Sequence, residues 1–252
     1  MEAARIYLET TMFSFYYETR QEPYYQEYKA QVRQVFDLIK AGKFEPYTSI
    51  YTTGEIDDEP DPEKREQMAA LVSDYGIKFL EDTPEVKRLA ALYIKEEAVT
   101  PASETDAAHI AITAVNGLDF IVSLNFGHIA RVWTVERVRR VNIRENYKPP
   151  TGGSYWYIQA IGGIGIMKTV EEYMNDPRIL NDPCMAGALE PIVRIHAIRL
   201  RIEDEYAGMT PEEECRLRNE KGREFLARYG LSDRLVNLSG QGKIQPLAVA
   251  GK

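Results

Sequence analysis

At 252 residues with 44% hydrophobic content, the chain is long enough for one large or two modest domains with a substantial core. Its formal net charge of -8 argues against a general nucleic-acid coating role, because backbone binding needs an excess of Lys and Arg, although an enzyme with a local basic rim stays compatible with RNA or DNA. Cys184 and Cys215 have neither metal-ligand nor redox spacing, Met1-Glu2-Ala3-Ala4-Arg5 lacks the order of a signal peptide, and no apolar run reaches the roughly 18 residues of a membrane span, so the chain reads as cytoplasmic with no membrane partner.

Arg5 to Leu8 predicts a buried strand, followed by a long helix from about Tyr24 to Ala41 with Val32, Val35, Phe36, Leu38 and Ile39 on its apolar face. Phe44 to Ser49 predicts a second strand and Tyr51 to Ile56 a short helix. The proline-rich turn Asp57-Asp58-Glu59-Pro60-Asp61-Pro62 ends it, and the acidic run Glu55-Ile56-Asp57-Asp58-Glu59-Pro60-Asp61 reads as a solvated loop rather than a calcium site, since it lacks EF-hand ligand spacing and the turn glycine. Glu63 to Asp74 and Pro84 to Glu97 carry helical periodicity around a strand at Ile77 to Leu80. The helix predicted over Thr105 to Asn116 is apolar on nearly every side, which implies burial against a sheet, and Gly117 ends it as a left-handed cap. Phe120-Ile121-Val122 is a continuous apolar strand of the kind found when both faces of a parallel sheet are covered, and Arg140 to Ile143 reads as a final edge strand. This alternation predicts an α/β fold with a parallel sheet flanked by helices.

Composition shifts at Lys148-Pro149-Pro150-Thr151-Gly152-Gly153-Ser154, which marks a domain boundary. The expected organisation is a domain over 1–148, a Gly/Pro-containing linker over 149–166, an all-helical extension over 167–230 and a mobile tail over 231–252. Within the extension, Met167 to Asn175 and Met185 to Tyr206 read as amphipathic helices, the second with Leu189, Ile192, Ile195, Ile198 and Ile202 along one side. Thr210-Pro211-Glu212-Glu213 announces a third through a capping box, and Gly230 terminates it. Helices without a sheet of their own make a poor core, so these three are expected to cover another surface.

Two fragments concentrate the candidate chemistry: Glu9-Thr10-Thr11 after the first strand, and Glu104-Thr105-Asp106-Ala107-Ala108-His109 opening the buried helix. Both place a carboxylate where an open α/β fold collects its ligands, at the carboxyl end of the sheet. Carboxylates converging there, with no histidine or cysteine cluster, suit a hard divalent cation such as Mg2+ or Mn2+ and therefore phosphate chemistry. Each residue also has a plain structural role. Asp106 can serve a capping-box-like Ser103-x-x-Asp106 and the helix dipole, Glu9 can be a solvated strand end, and Glu55 alone reads as a surface acid. Asn125 suits a cap or a water-positioning amide, while His109 and His128 read as packed or hydrogen-bonded structural residues. Arg194, Arg199 and Arg201 recur on one helix; they form a solvated face with Glu203, Asp204 and Glu205, or one of them pairs with a carboxylate cluster that lacks its metal. No Gly-x-Gly-x-x-Gly, P-loop or nucleophile elbow is present, which sets aside dinucleotide and serine-hydrolase chemistry.

Together, Ile6-Tyr7-Leu8-Glu9-Thr10-Thr11, Thr48 through Glu55-Ile56, Thr105-Asp106-Ala107-Ala108-His109-Ile110-Ala111 and Val122-Ser123-Leu124-Asn125-Phe126-Gly127-His128-Ile129 resemble, in order and spacing, the motifs of the PIN-domain family, of the virulence-associated protein C type. The resemblance covers roughly the first 145 residues. It implies a doubly wound fold with a parallel sheet of about five strands and an acidic cleft for Mg2+ or Mn2+. The activity it implies is that of a toxin endoribonuclease cutting single-stranded or structured RNA. By position, Glu9, Glu55 and Asp106 then match the metal-holding acids, while Asn125 and Thr10 orient water or phosphate oxygens. Glu9 and Asn125 depart from the usual aspartates. The stretches Met167-Lys168-Thr169-Val170-Glu171-Glu172-Tyr173-Met174, Ile195-His196-Ala197-Ile198-Arg199 and Met209-Thr210-Pro211-Glu212-Glu213 are similar to the small helical antitoxins of such toxins. The implied partners are an antitoxin-like segment in the same chain or a neighbour, and a homo-oligomer. The competing expectation is a non-catalytic PIN-fold binding or assembly module.

Overall fold

A computed structural model describes residues 3–125, 129, 132–148, 190–206, 209–238 and 241–242. The predicted linker 149–166, the helix at Met167 to Asn175, Cys184 and His128 lie outside the described residues. The chain is an α/β protein: an all-parallel five-stranded sheet in the order β4-β1-β2-β3-β5, flanked among the described residues by nine helices. The strands are β1 (Ala4–Leu8), β2 (Phe44–Ser49), β3 (Lys78–Leu80), β4 (Phe120–Val122) and β5 (Leu235–Val236). The helices are α1 (Thr10–Tyr16), α2 (Pro23–Lys40), α3 (Ile50–Asp57), α4 (Pro62–Asp74), α5 (Pro84–Lys95), α6 (Glu104–Val115), α7 (Val132–Arg144), α8 (Glu190–Tyr206) and α9 (Pro211–Arg228). Among the described residues no helix is long and apolar enough to cross a membrane.

The side-chain period of two in a strand divides the core between the two faces of the sheet. Ile6 and Leu8 of β1 join Phe13, Val32, Phe36, Leu71 and Phe225 on one face, under α1, α2, α4 and α9. Tyr7 points the other way, into a cluster with Leu89, Tyr93, Ala107, Ala111, Val138 and Val141 of α5, α6 and α7. The α6 helix is buried on nearly all sides, as its composition predicts, and Gly117 follows it at φ +63°, a conformation a Cβ would disfavour. Strands β1, β2 and β3 are added in one direction and β4 returns to the far side of β1. That reversal opens a crevice at the carboxyl ends of β1 and β4.

Two sequence expectations are corrected. Arg140 to Ile143 is not a strand but the last part of α7: Val135, Val138 and Val141 recur every third residue and are buried against α5 and α6, so helical amphipathicity overrides the β-branched composition. The fifth strand comes instead from the expected mobile tail. Leu235 and Val236 pair with Phe79 and Leu80, Leu231 is buried, and the Gly242 amide donates to the Val115 carbonyl at 3.0 Å. Leu235 and Val236 find their place by completing a sheet edge, which no local pattern announces.

The α9 helix starts at the predicted capping box, with Thr210 and Glu213 bonded reciprocally, and lies across α3. Gly222 is the point of closest approach: a Cβ there would stand 2.6 Å from Ile50 Cγ2 and 2.8 Å from Ile50 Cβ. Alanine should gain up to about 1 kcal/mol of helix propensity at this position. Overpacking against Ile50, costing about 1–3 kcal/mol, should outweigh that gain, so Gly222→Ala is expected to lower the urea midpoint; a raised midpoint would refute the close-packing account.

Candidate functional site

The crevice collects three acids from three separate elements. Glu9 is the N-cap of α1, where the chain leaves β1 at φ -80° and ψ 159°. Glu55 sits in the last turn of α3 and Asp106 in the first turn of α6. All three are buried, at 0%, 1% and 0% exposure, so neither a solvated strand end nor a surface acid describes Glu9 or Glu55. Asp106 is not a cap either: Ser103 makes no side-chain capping bond, and the Asp106 carboxylate is used elsewhere.

It is used by an arginine. Helix α8 packs on α1, α3, α6 and the short turn Pro101–Ser103, and carries Arg199 into the crevice at 2% exposure. Its Nε donates to Glu55 Oε1, its Nη1 to Asp106 Oδ1 and its Nη2 to Glu9 Oε1, with a further Nη2 contact to Glu55 Oε2 at 3.4 Å. The expectation of a solvated arginine face is therefore wrong for Arg199; Arg194 stands 3.6 Å from Glu59, and the side chains of Arg201, Glu203, Asp204 and Glu205 lie outside the described set. Glu59 is itself buried and also pairs with Lys64 at 3.2 Å, so the acidic loop is solvated only in part.

Each carboxylate is oriented by neighbours that leave one side toward Arg199. Glu9 Oε2 accepts from the Thr11 amide at 3.1 Å, from Thr11 Oγ1 at 2.5 Å and from Ser123 Oγ at 2.8 Å, leaving Oε1 to the guanidinium. Those hydroxyls are held in turn by backbone donors, the Leu124 amide on Thr11 Oγ1 and the Asn125 amide on Ser123 Oγ. Thr10 Oγ1 donates to Glu55 Oε2, and Asn125 Nδ2 donates to Asp106 Oδ1 at 2.8 Å and to His196 Nε2 at 3.1 Å. Among the described residues Asp106 Oδ2 is buried without a hydrogen-bond partner, and His196 Nε2 stands 3.8 Å from it. On the far side His109 Nε2 lies 3.4 Å from Glu55 Oε1.

The electrostatics follow from this geometry. Burial by itself would raise the Glu55 carboxyl, but the Arg199 charge, with His109 assisting, holds it well below its ordinary value. Burial likewise opposes the charge of Arg199, and the three carboxylates more than restore it, so the guanidinium stays protonated. Among the described residues a single guanidinium bonds to all three acids.

All five residues singled out from the sequence thus meet at one place. Ser123 and Thr11 carry no sequence signal as ligand-holders, His109 is packed and hydrogen-bonded as expected, and Arg199 takes the second of its two expected roles, pairing with the carboxylate cluster. Glu9, Glu55 and His109 offer ligand atoms all within 4.8 Å of one another, a set that could hold a metal ion. The signal available for His109 was its position three residues after Asp106, on the same helix face. No protein-family model, curated protein or solved structure matches the chain.

Removing Arg199 leaves buried carboxylates without their cation, which costs about 3–5 kcal/mol for a buried pair. Arg199→Gln should therefore be destabilised by that order at neutral pH in the presence of a chelator. Because the folded pKa of Glu55 is depressed, its contribution is fully present above the ordinary value of 4.5 and is lost as pH falls below it toward the depressed value. The stability gap between wild type and Arg199→Gln, measured by urea unfolding, should narrow as pH drops below that point; a gap independent of pH would count against the ion cluster.

Proposed function

We propose that the chain is a PIN-type, divalent-metal-dependent endoribonuclease that hydrolyses phosphodiester bonds of single-stranded RNA, and that its own helix α8 keeps the site shut. The observation that carries this reading is the convergence of Glu9, Glu55 and Asp106, from three elements at the carboxyl edge of the sheet, on one guanidinium. Assembling three buried acids is costly unless a cation belongs among them. Arginine supplies only part of the charge.

The residues present fit a hard divalent ion. Their donors are carboxylate oxygens, Asp106 Oδ2 has no hydrogen-bond partner among the described residues, and Mg2+ or Mn2+ would match the acids better than the single charge of Arg199. Glu9, Glu55 and Asp106 would hold it. When bound, such an ion supplies a water of lowered pKa and Lewis acidity toward a phosphate oxygen. The chain's contribution is preorganisation: Thr11 and Ser123 fix Glu9, Thr10 fixes Glu55 and Asn125 fixes Asp106, so the acids need not reorient during reaction. Hydrolysis by water needs no covalent intermediate, in keeping with the lack of a nucleophile elbow.

Helix α8 fills the crevice in this state, so RNA and metal reach the acids only when Arg199 withdraws. A helix of the same chain is at an advantage over a separate inhibitor because its effective concentration does not fall on dilution. The completeness of the buried ion cluster favours the second reading, a non-catalytic binding or assembly module in which Arg199 is purely structural.

Cleavage of single-stranded RNA, with DNA of the same sequence beside it, separates the readings when wild type, Arg199→Gln, Asp106→Asn and the double variant are compared with Mn2+. Arg199→Gln should cleave RNA at least about tenfold faster than wild type, and both Asp106 variants should fall by at least about a hundredfold. Mn2+ should raise the Tm of Arg199→Gln but not that of the double variant. Folded Arg199→Gln with neither cleavage nor Mn2+ stabilisation would leave the assembly module.

A further inference from the structure

Building on the metal-dependent reading above, we infer that His109 is a further ligand of the ion, through Nε2, and that Tyr7 and Ser49 are the positioning residues that hold its ring through the other nitrogen. His109 is fully buried on α6, one turn beyond Asp106, so the two side chains share a face toward the crevice. Its ring is fixed between two others, with the Tyr7 centroid at 5.6 Å and the Tyr51 centroid at 5.8 Å.

The two ring nitrogens are held very differently. Nδ1 lies 2.6 Å from Tyr7 Oη, which lies 2.6 Å from Ser49 Oγ, and Ser49 Oγ accepts the Tyr51 amide at 3.2 Å. Among the described residues Nε2 meets only the Glu55 carboxylate, at 3.4 Å, which is long for a hydrogen bond. A histidine kept for packing has no need of a firm anchor on one nitrogen and a loose one aimed at an acid cluster. A ligating histidine has that need: its second nitrogen donates to a fixed acceptor, which orients the ring and leaves a lone pair for the metal.

Tyr7 can serve as that acceptor. The Tyr7 hydroxyl lies within hydrogen-bond distance of both neighbours, so it can accept from Nδ1–H while donating to Ser49 Oγ. Nε2 then presents its lone pair to the carboxylates. With Arg199 seated, the opposite tautomer also fits, Tyr7 donating to Nδ1 and Nε2–H facing Glu55. One hydroxyl thus serves both states of the site.

The consequence is metal choice. Imidazole suits transition ions, whereas Mg2+ prefers an all-oxygen shell, so a donor set of carboxylates plus His109 should favour Mn2+ over Mg2+.

The test uses the full chain carrying Arg199→Gln together with His128→Gln and His196→Gln, which leaves His109 the sole remaining member of three histidines. Pulsed EPR of its Mn2+ complex should show the 14N coupling of a directly bound imidazole, and addition of His109→Gln should abolish it. Should the multiple variant fail to fold, Arg199→Gln and its His109→Gln derivative provide the same comparison. Tyr7→Phe should weaken Mn2+ affinity about 10- to 100-fold and lower the Mn2+ to Mg2+ affinity ratio. Mn2+ bound without nitrogen coupling overturns the inference and leaves the carboxylate centre standing. Failure of natively folded protein to take up Mn2+ at all overturns both.

Discussion

One guanidinium shared by three buried acids is the constraint on which the rest of this structure depends. Charges removed from water are tolerated only where partners and hydrogen bonds replace the hydration shell, and here the replacement is built from far along the chain. Glu9 and Arg199 are 190 residues apart. Their meeting requires β1 to end at Glu9, α3 and α6 to reach the same edge, and α8 to dock with one face inward. Each of those elements is held by apolar packing that the ion cluster does not itself supply, such as Ile192 in the same core cluster as Met12 and Phe13.

The C-terminal part of the chain divides physically into two. Helix α9 and strand β5 belong to the body: Phe225 and Leu226 enter the core, Gly222 admits close contact with Ile50, and β5 completes the sheet. Polar anchors support them, including Asn219 bonded both ways to Asp82 and Lys87 between Asp82 and Glu214. The α8 helix differs, because its most buried polar contacts are to the crevice. A cut near Pro150 would remove parts of the core together with Arg199, so the roles of α8 and of the body are separable by point substitution rather than by truncation.

Strand alternation and helical periodicity announced most elements, and the Thr210 capping box and Gly117 cap were legible residue by residue, because these signals depend on neighbours a few positions away. The α7 helix was misread since Val-Asn-Ile suits a strand, and its valine spacing has meaning only beside α5. The acids were legible as candidates because strand ends in an open α/β sheet gather ligands. Their burial was not, because burial belongs to the surface that covers a residue.

The sequence by itself determined the α/β alternation, the candidacy of Glu9, Glu55, Asp106 and Asn125 for the functional edge, and the chemistry those side chains can offer. Tertiary structure alone decided that Arg199 is buried among the acids, that Leu235–Val236 is a strand, and that Tyr7 and Ser49 stand behind His109. The physical reason is range. Periodicity, capping and turn chemistry are local, whereas the partner of a buried charge and the missing edge of a sheet are found only when distant segments pack.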